Sequence, residues 1–253
     1  MLFSVALIAL VLTLRREWGQ LARLGRGEWT LAVASGLLLA LHFWSWIASL
    51  GMTTVASSVA LVATQPVFVA LFSALFLGEN AARRQWIGIA VAIGGAVVIG
   101  WGDFGGGANV LLGDVLALAG AVFASGYYVI GRRLRRDLGL WVYSGVVYGV
   151  SALALTLASL LSPGVALTGF ASSEWLVFLA LAAGPMMIGH TGINYALRYV
   201  PAYVANLTVL GEPVVATAIA WLLPAIGEVP SPQVVAGGLL VLAGIGLGRK
   251  GGS

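Results

Sequence analysis

Several polar and aromatic side chains lie within the long apolar segments of this 253-residue chain. Polar groups are costly in such segments and often have a function. These side chains are His42, Trp46, Gln65, Tyr128, His190, Asn194, Asn206 and Glu212. A carboxylate in the middle of a membrane costs about 2.5–3.5 kcal/mol on insertion scales. We therefore expect Glu212 to face a cavity, where it contacts substrate or carries a proton. Alternatively, it is a structural acid that hydrogen-bonds backbone loosened by Pro213.

The only two histidines, His42 and His190, occupy matching positions near the starts of two apolar segments. Trp46 lies one turn after His42, and Asn194 one turn after His190, so each pair shares a helix face. An imidazole, an indole and an amide around one cavity suit a polar metabolite with an apolar or aromatic part, which the indole would hold by stacking or by a cation–π contact. Interhelical hydrogen bonds and ordinary packing are the alternatives.

Further polar candidates lie in three of the apolar segments. Gln65 precedes a proline as Glu212 does, so an amide and an acid hold equivalent places. Asn206 lies one to two turns before Glu212 and could share its face. Tyr127 and Tyr128 are close to the end of their segment, which favours the role of interfacial anchor for at least one of them.

Two groups of glycines stand in the fourth and in the last apolar segment. They are Gly88, Gly94 and Gly95, and Gly237, Gly238 and Gly244. Small residues allow helix backbones to approach closely in a membrane, so we predict that these glycines form helix contacts. They make no nucleotide-binding loop, because no strand leads into them and no lysine follows.

The composition predicts a membrane protein. Hydrophobic residues make up 60% of the chain and charged residues 9%, and the mean hydropathy is +1.01. The sequence contains no cysteine, and two histidines alone cannot build a metal cage, so no metal or cofactor is expected. Basic residues stand at the ends of apolar runs instead of forming a nucleic-acid-binding patch. An enzyme is not expected either, because the apolar segments hold neither paired carboxylates nor a nucleophile with a base.

Nine apolar runs follow one another along the chain, and most are close to the roughly 20 residues that span a membrane. They cover residues 2–14, 29–50, 55–77, 85–101, 111–131, 140–161, 174–197, 203–223 and 232–248. The first run is too short and resembles the second half of a helix, as expected of a chain shortened at its start. A cleaved signal peptide is the alternative, but Arg15 and Arg16 follow the apolar run instead of preceding it.

Arginine and lysine mark every second connection between these runs. Basic residues follow the first, third, fifth, seventh and ninth runs, whereas the alternate connections, with Asp103, Glu174 and Glu228, contain none. The positive-inside rule then places the basic connections and the C-terminus in the cytoplasm.

Two parts of the chain repeat one pattern. In the first, His42 is followed by Gln65-Pro66-Val67 and Leu77-Gly78-Glu79; in the second, His190 is followed by Glu212-Pro213-Val214 and Ile226-Gly227-Glu228. Matching helices lie an odd number of spans apart, so the second copy is inverted relative to the first. We predict an all-α polytopic membrane protein built as an inverted repeat of five-helix units, with repeats at 1–101 and 111–248. Of its ten helices the first is expected to be missing, which leaves nine spans, the first of them partial.

The sequence resembles the EamA branch of the drug/metabolite transporter superfamily. The resemblance rests on the segments that begin at His42 and Ala56, on Leu77-Gly78-Glu79 and on Glu212-Pro213-Val214. It implies ten helices in two repeats, a place in the cytoplasmic membrane, and transport, often export, of amino acids or other small metabolites. Tyr128 aligns with a tyrosine of the family, whereas Phe123-Ala124 replaces its frequent Trp-Ala.

Together these features favour a carrier that works by alternating access, driven by the substrate gradient or by proton exchange. Glu212 or a histidine is the expected proton site. The alternative is a channel or a lipid- or drug-translocating protein, although a channel should show a continuous polar stripe. A monomer could enclose the whole pathway, so we expect a monomer or a weak homodimer.

Overall fold

The computed structural model describes residues 1–99, 109–162, 168–222 and 229–249. Asp103 and Ile226-Gly227-Glu228, which entered the charge and repeat patterns, lie outside these ranges. The described residues form helices and connections without a strand. The α-helices are α1 (Leu2–Leu14), α2 (Arg26–Leu50), α3 (Val55–Val62), α4 (Gln65–Leu77), α5 (Arg83–Ile99), α6 (Val110–Leu134), α7 (Leu140–Leu161), α8 (Ser172–Leu181), α9 (Thr191–Ala196), α10 (Ala202–Leu207), α11 (Glu212–Leu222) and α12 (Pro232–Arg249).

The helices follow the predicted apolar runs, but three of those runs are not single α-helices. The run 55–77 divides into α3 and α4, and the run 174–197 holds a π-helix, Ala182–His190, between α8 and α9. In the run 203–223 a 3-10 helix, Thr208–Gly211, separates α10 from α11. Apolar length and periodicity alone do not register such local changes in hydrogen bonding. A further 3-10 helix, Trp18–Arg23, lies in a basic connection.

The breaks before α4 and α11 stand at matching places in the two copies of the sequence pattern. Gln65 is the first residue of α4 and Glu212 the first residue of α11, and each is followed by proline. Proline lacks the N–H that would bond to a preceding turn, but it is tolerated in the first turn of a new helix. In both copies, a new helix therefore begins at the residue that precedes this proline.

Five helical stretches in the described residues are long and apolar enough to cross a membrane. They are Arg26–Leu50, Ser57–Leu77, Val110–Leu134, Leu140–Leu161 and Ser172–Ala196. Shorter apolar helices occupy Leu2–Leu14, Ala202–Gly211 and Pro232–Gly248. With the composition given above, these stretches define an all-helical polytopic membrane protein.

The chain groups into two compact units. Unit 1 contains Met1–Trp44 and Gly126–Val200, and unit 2 contains Ser45–Ser125 and Pro201–Ser253. Each unit thus takes helices from both predicted repeats, and the repeat boundaries remain a prediction. In unit 1, α1 packs on α7, where Gly145 leaves room for the side chains of Leu12 and Ile8.

In unit 2, α5 and α12 pack through glycines. A Cβ atom on Gly88 would lie 2.7 Å from the Gly244 carbonyl oxygen, and one on Gly95 would lie 2.6 Å from the Gly237 carbonyl oxygen. Such distances leave no room for a side chain, so the predicted helix contact is confirmed for these glycines. It is wrong for Gly94, where a Cβ atom would meet nothing within 4 Å.

Candidate functional site

Four aromatic side chains of unit 1 surround the His190 imidazole. The ring centroids of Phe43, Tyr127, Tyr128 and His42 lie 5.3, 6.0, 6.3 and 6.4 Å from the centroid of His190. The Tyr128 ring is stacked on the imidazole with an interplanar angle of 7°. We call these five residues the His190 cluster. The structure therefore brings the two predicted histidines together, along with Tyr128.

Three elements supply the His190 cluster. His42 and Phe43 are neighbours on α2, Tyr127 and Tyr128 are neighbours on α6, and His190 is the last residue of the π-helix. His42 and both tyrosines are buried, whereas Phe43 and His190 are half-buried. The anchor role expected for at least one of the tyrosines is wrong, because protein covers both side chains. Phe43 was not predicted, since a phenylalanine in an apolar segment carries no distinguishing signal.

The Nδ1 atom of His190 is buried, and no hydrogen-bond partner for it exists among the described residues. A buried nitrogen without a partner is costly, and such atoms are uncommon in proteins. This nitrogen is thus available to a polar group of a bound molecule.

Asn194, the predicted partner of His190, is fully buried in unit 1. Its Oδ1 atom accepts a hydrogen bond from the Tyr127 hydroxyl at 2.7 Å, and its Nδ2 atom donates to the Tyr148 hydroxyl at 3.4 Å. Asn194 therefore holds Tyr127 of the His190 cluster in place through its side-chain amide.

Arg135 supports the same region from the end of α6. Its side chain is buried although it belongs to one of the basic connections, and its Nε atom donates to the Asn194 carbonyl oxygen at 3.0 Å. A further bond joins its guanidinium to the Leu138 carbonyl. Burial, and then the charge of Arg198, lower the pKa of the Arg135 guanidinium below its ordinary value. This arginine fixes the backbone that carries Asn194.

In unit 2, Gln65 and Asn206 contact each other. The Asn206 Nδ2 atom donates to Gln65 Oε1 at 3.0 Å, and both side chains are buried. The Ser125 hydroxyl donates to the Gln65 carbonyl oxygen at 3.2 Å. Within the parts of the chain that are described, Asn206 Oδ1 has no hydrogen-bond partner. Two predicted residues thus form a polar pair at the junction of α4 and α10.

Glu212 and Trp46 also belong to unit 2. The Glu212 side chain is exposed on the protein surface, and the described residues provide no hydrogen bond or ion pair for it. Because Asn206 is fully buried, the expectation that Asn206 and Glu212 share a face is wrong; the 3-10 segment between them changes the helical register. Trp46 is half-buried in the last turns of α2.

A polar contact around Asp114 was missed by the sequence analysis. The hydroxyls of Thr53 and Ser57 each donate to Asp114 Oδ1 at 2.8 Å. Gly113 allows this approach, because a Cβ atom there would lie 2.8 Å from the Thr53 backbone nitrogen. An acid within the apolar run 111–131 was the available signal.

The fold and the composition define a polytopic helical membrane protein, and comparison with known proteins gives the family. The chain belongs to the EamA-like transporter family, whose model matches residues 1–101 and 111–247. A solved crystal structure has the same fold, with a TM-score of 0.78 and 24% identity, covering 96% of this chain and 83% of that one.

Three relatives illustrate the range of the family. A probable terminal-alkyne amino-acid exporter of Streptantibioticus cattleyicolor is 34% identical over 73% of this chain and 61% of its own length. The aromatic amino acid exporter YddG of Ancylobacter novellus is 30% identical over 72% of this chain and 66% of its own. The pseudopaline exporter CntI of Pseudomonas aeruginosa is 26% identical over 95% and 81%. The chain thus spans about three fifths to four fifths of these relatives.

Proposed function

We propose that this protein is a secondary transporter that exports amino acids or related small metabolites across the cytoplasmic membrane by alternating access. The His190 cluster is the observation that carries the proposal. Its three carbocyclic rings and two imidazoles combine an apolar surface with polar nitrogens, which suits an amino acid with an aromatic or other apolar side chain. The names of the relatives, which include amino-acid exporters, support the same substrate class.

Each part of the His190 cluster has a role in this proposal. Phe43 and Tyr128 pack against the apolar side chain of the substrate, and an aromatic pair contributes about 0.5–1.5 kcal/mol beyond area burial. His190 Nδ1, without a partner in the described residues, hydrogen-bonds the polar end of the substrate. Since this nitrogen is buried, substrate reaches it only when the surrounding rings move apart. A transporter that alternates between two open states makes such movements.

The inverted repeat and the membrane orientation belong to the same proposal. Matching helix breaks before α4 and α11 support two related halves. The basic connections, among them the one that holds Arg83 and Arg84, support a cytoplasmic C-terminus by the positive-inside rule. We propose a monomer or a weak homodimer with substrate and lipid as its partners. For Trp46, Gln65, Asn206 and Glu212, the role of substrate contact stays a prediction from the sequence.

Export from intact cells tests this proposal. Cells that make the protein and are loaded with a labelled aromatic amino acid should release it faster than cells that make the His190→Ala variant at equal membrane abundance. An acidic amino acid is the matched control substrate, because its charged side chain cannot pack favourably against the apolar rings of the His190 cluster. Equal release of both substrates, or equal release by the two proteins, would contradict the proposal.

We expect Glu212→Gln to remove the pH dependence of transport while the protein stays folded. Glu212 is exposed and has no ion-pair partner in the described residues, so its carboxyl group can exchange a proton during the cycle. Glutamine keeps the shape and removes the titrating group. Transport rates of both proteins in vesicles over a range of pH provide the measurement, with Glu17→Gln as the control. An unchanged profile would contradict this role of Glu212.

A further inference from the structure

The π-helix Ala182–His190 is an unusual element in a membrane-spanning stretch. Such segments are rare and often occur at functional sites. Pro185 accounts for part of it, because in an α-helix its ring would clash with the Leu181 carbonyl one turn earlier. The π-helix ends at His190, so its register determines where the imidazole points.

The Met186 carbonyl oxygen accepts the hydrogen bonds that close the last turn of the π-helix. It accepts the backbone N–H of Thr191, five residues later, which is the π-helical bond. It also accepts the Thr191 hydroxyl at 3.0 Å, and the Tyr148 hydroxyl lies at 3.4 Å. One backbone N–H and two side-chain hydroxyls thus surround this carbonyl oxygen.

These side chains continue a chain of hydrogen bonds from the His190 cluster. The Tyr127 hydroxyl donates to Asn194 Oδ1, and Asn194 Nδ2 donates to the Tyr148 hydroxyl. The Tyr148 and Thr191 hydroxyls share a hydrogen bond at 3.0 Å, and the Thr191 hydroxyl also donates to the Met186 carbonyl oxygen. These hydrogen bonds thus form one continuous chain, and bonds in such a chain strengthen one another.

We propose that Tyr148 and Thr191 are positioning residues that hold the Met186 carbonyl in the π-helical register and thereby place the His190 imidazole against Phe43 and Tyr128. A π-turn holds one residue more than an α-turn. A return to the α-helical register would therefore rotate His190 by roughly 100° relative to α8 and remove it from its ring neighbours. The link to substrate recognition rests on the function proposed above, whereas the link to the His190 position does not.

Isosteric substitutions separate the hydroxyls from the packing of these side chains. Tyr148→Phe and Thr191→Val remove the hydrogen bonds and keep the volume, whereas Thr191→Ser keeps the hydroxyl. Tyr143→Phe is the matched control. Tyr143 is a fully buried tyrosine of the same unit whose hydroxyl bonds to Ser35 at 2.8 Å and takes no part in the chain to Met186.

Nuclear magnetic resonance of histidine-labelled protein reports the position of His190 without any transport assay. The chain has two histidines, so the spectrum shows two imidazoles, and His42→Gln identifies which signal is which. The stacked Tyr128 ring makes the His190 shifts sensitive to its position. We expect Tyr148→Phe and Thr191→Val to move the His190 signals, and Thr191→Ser and Tyr143→Phe to leave them in place.

Transport measured on the same variants completes the test. We expect Tyr148→Phe and Thr191→Val to raise KM for an aromatic amino acid about fivefold, the size expected when one hydrogen bond is lost. His190 signals that stay in place in both variants, or that move as far in Tyr143→Phe, would overturn the positioning role. Displaced His190 signals with unchanged KM would support the positioning role and overturn the proposed role of His190 in substrate recognition.

Discussion

Replacing His190 by alanine is expected to raise KM for an aromatic amino acid by about 30-fold or more, since a central contact residue of a binding site contributes about 2 kcal/mol. The centroids of four rings of unit 1 lie 5.3 to 6.4 Å from that of the imidazole, and its Nδ1 atom has no partner among the described residues. Its loss removes both a ring contact and the nitrogen that we assign to the polar end of the substrate. Initial rates of transport over a range of substrate concentrations give the measurement.

Two further variants separate these contributions. His190→Phe keeps a ring against Phe43 and Tyr128, and His190→Gln keeps a hydrogen-bonding group, so each should restore part of the affinity. Tyr199→Ala is the control, because Tyr199 is an exposed aromatic residue of the same unit outside the His190 cluster. A KM for His190→Ala within twofold of that of Tyr199→Ala would refute the role of the His190 cluster.

The substitution Gly244→Ala should destabilise the protein by about 3 kcal/mol or more, at the upper end of what overpacking costs. A Cβ atom on Gly244 would lie 2.5 Å from the Ala92 backbone nitrogen and 2.6 Å from the Gly88 carbonyl oxygen. Backbone atoms of a packed helix cannot move aside, so α5 and α12 would have to separate. The melting temperature and the yield of monodisperse protein in detergent measure the effect.

Gly246→Ala is the matched control for this prediction. Gly246 stands on the same helix two residues later, and a Cβ atom there would meet nothing within 4 Å. Because alanine favours a helix over glycine by about 1 kcal/mol, Gly246→Ala should leave stability unchanged or raise it slightly. Equal melting temperatures for the two variants would contradict the close packing of α5 on α12.

The class of the protein and the places of its helices could be predicted from local features. Apolar runs of near-spanning length form helices in the structure. Glycines such as Gly88 and Gly244 indicated a helix contact, because small residues let helix backbones approach closely in a membrane. The pairing of His42 with His190 was suggested only by their matching positions in the repeat, and the structure brings their rings together. These predictions succeeded because each depended on a short stretch of sequence or on a repeated one.

Features that depend on contacts between distant residues could not be predicted in this way. Arg135 stands in a run of arginines, and its burial follows only from the Asn194 carbonyl that it meets. Tyr148 and Thr191 carry no distinguishing signal in the sequence, because their role depends on the Met186 carbonyl oxygen that lies beside both hydroxyls in the structure. Pro185 was a visible signal for a local irregularity, but a proline does not specify whether a helix kinks, ends or adopts the π register.

Counterflow in proteoliposomes is the measurement that tests the transporter assignment most directly. Purified protein is reconstituted with an unlabelled aromatic amino acid inside the vesicles, and uptake of the same labelled amino acid is followed from outside. We expect saturable uptake that internal substrate accelerates. At a substrate concentration near the KM of the unmodified protein, this uptake should be strongly reduced in His190→Ala and kept in Tyr199→Ala. A flux that rises linearly with concentration and ignores internal substrate would contradict a carrier and identify a channel.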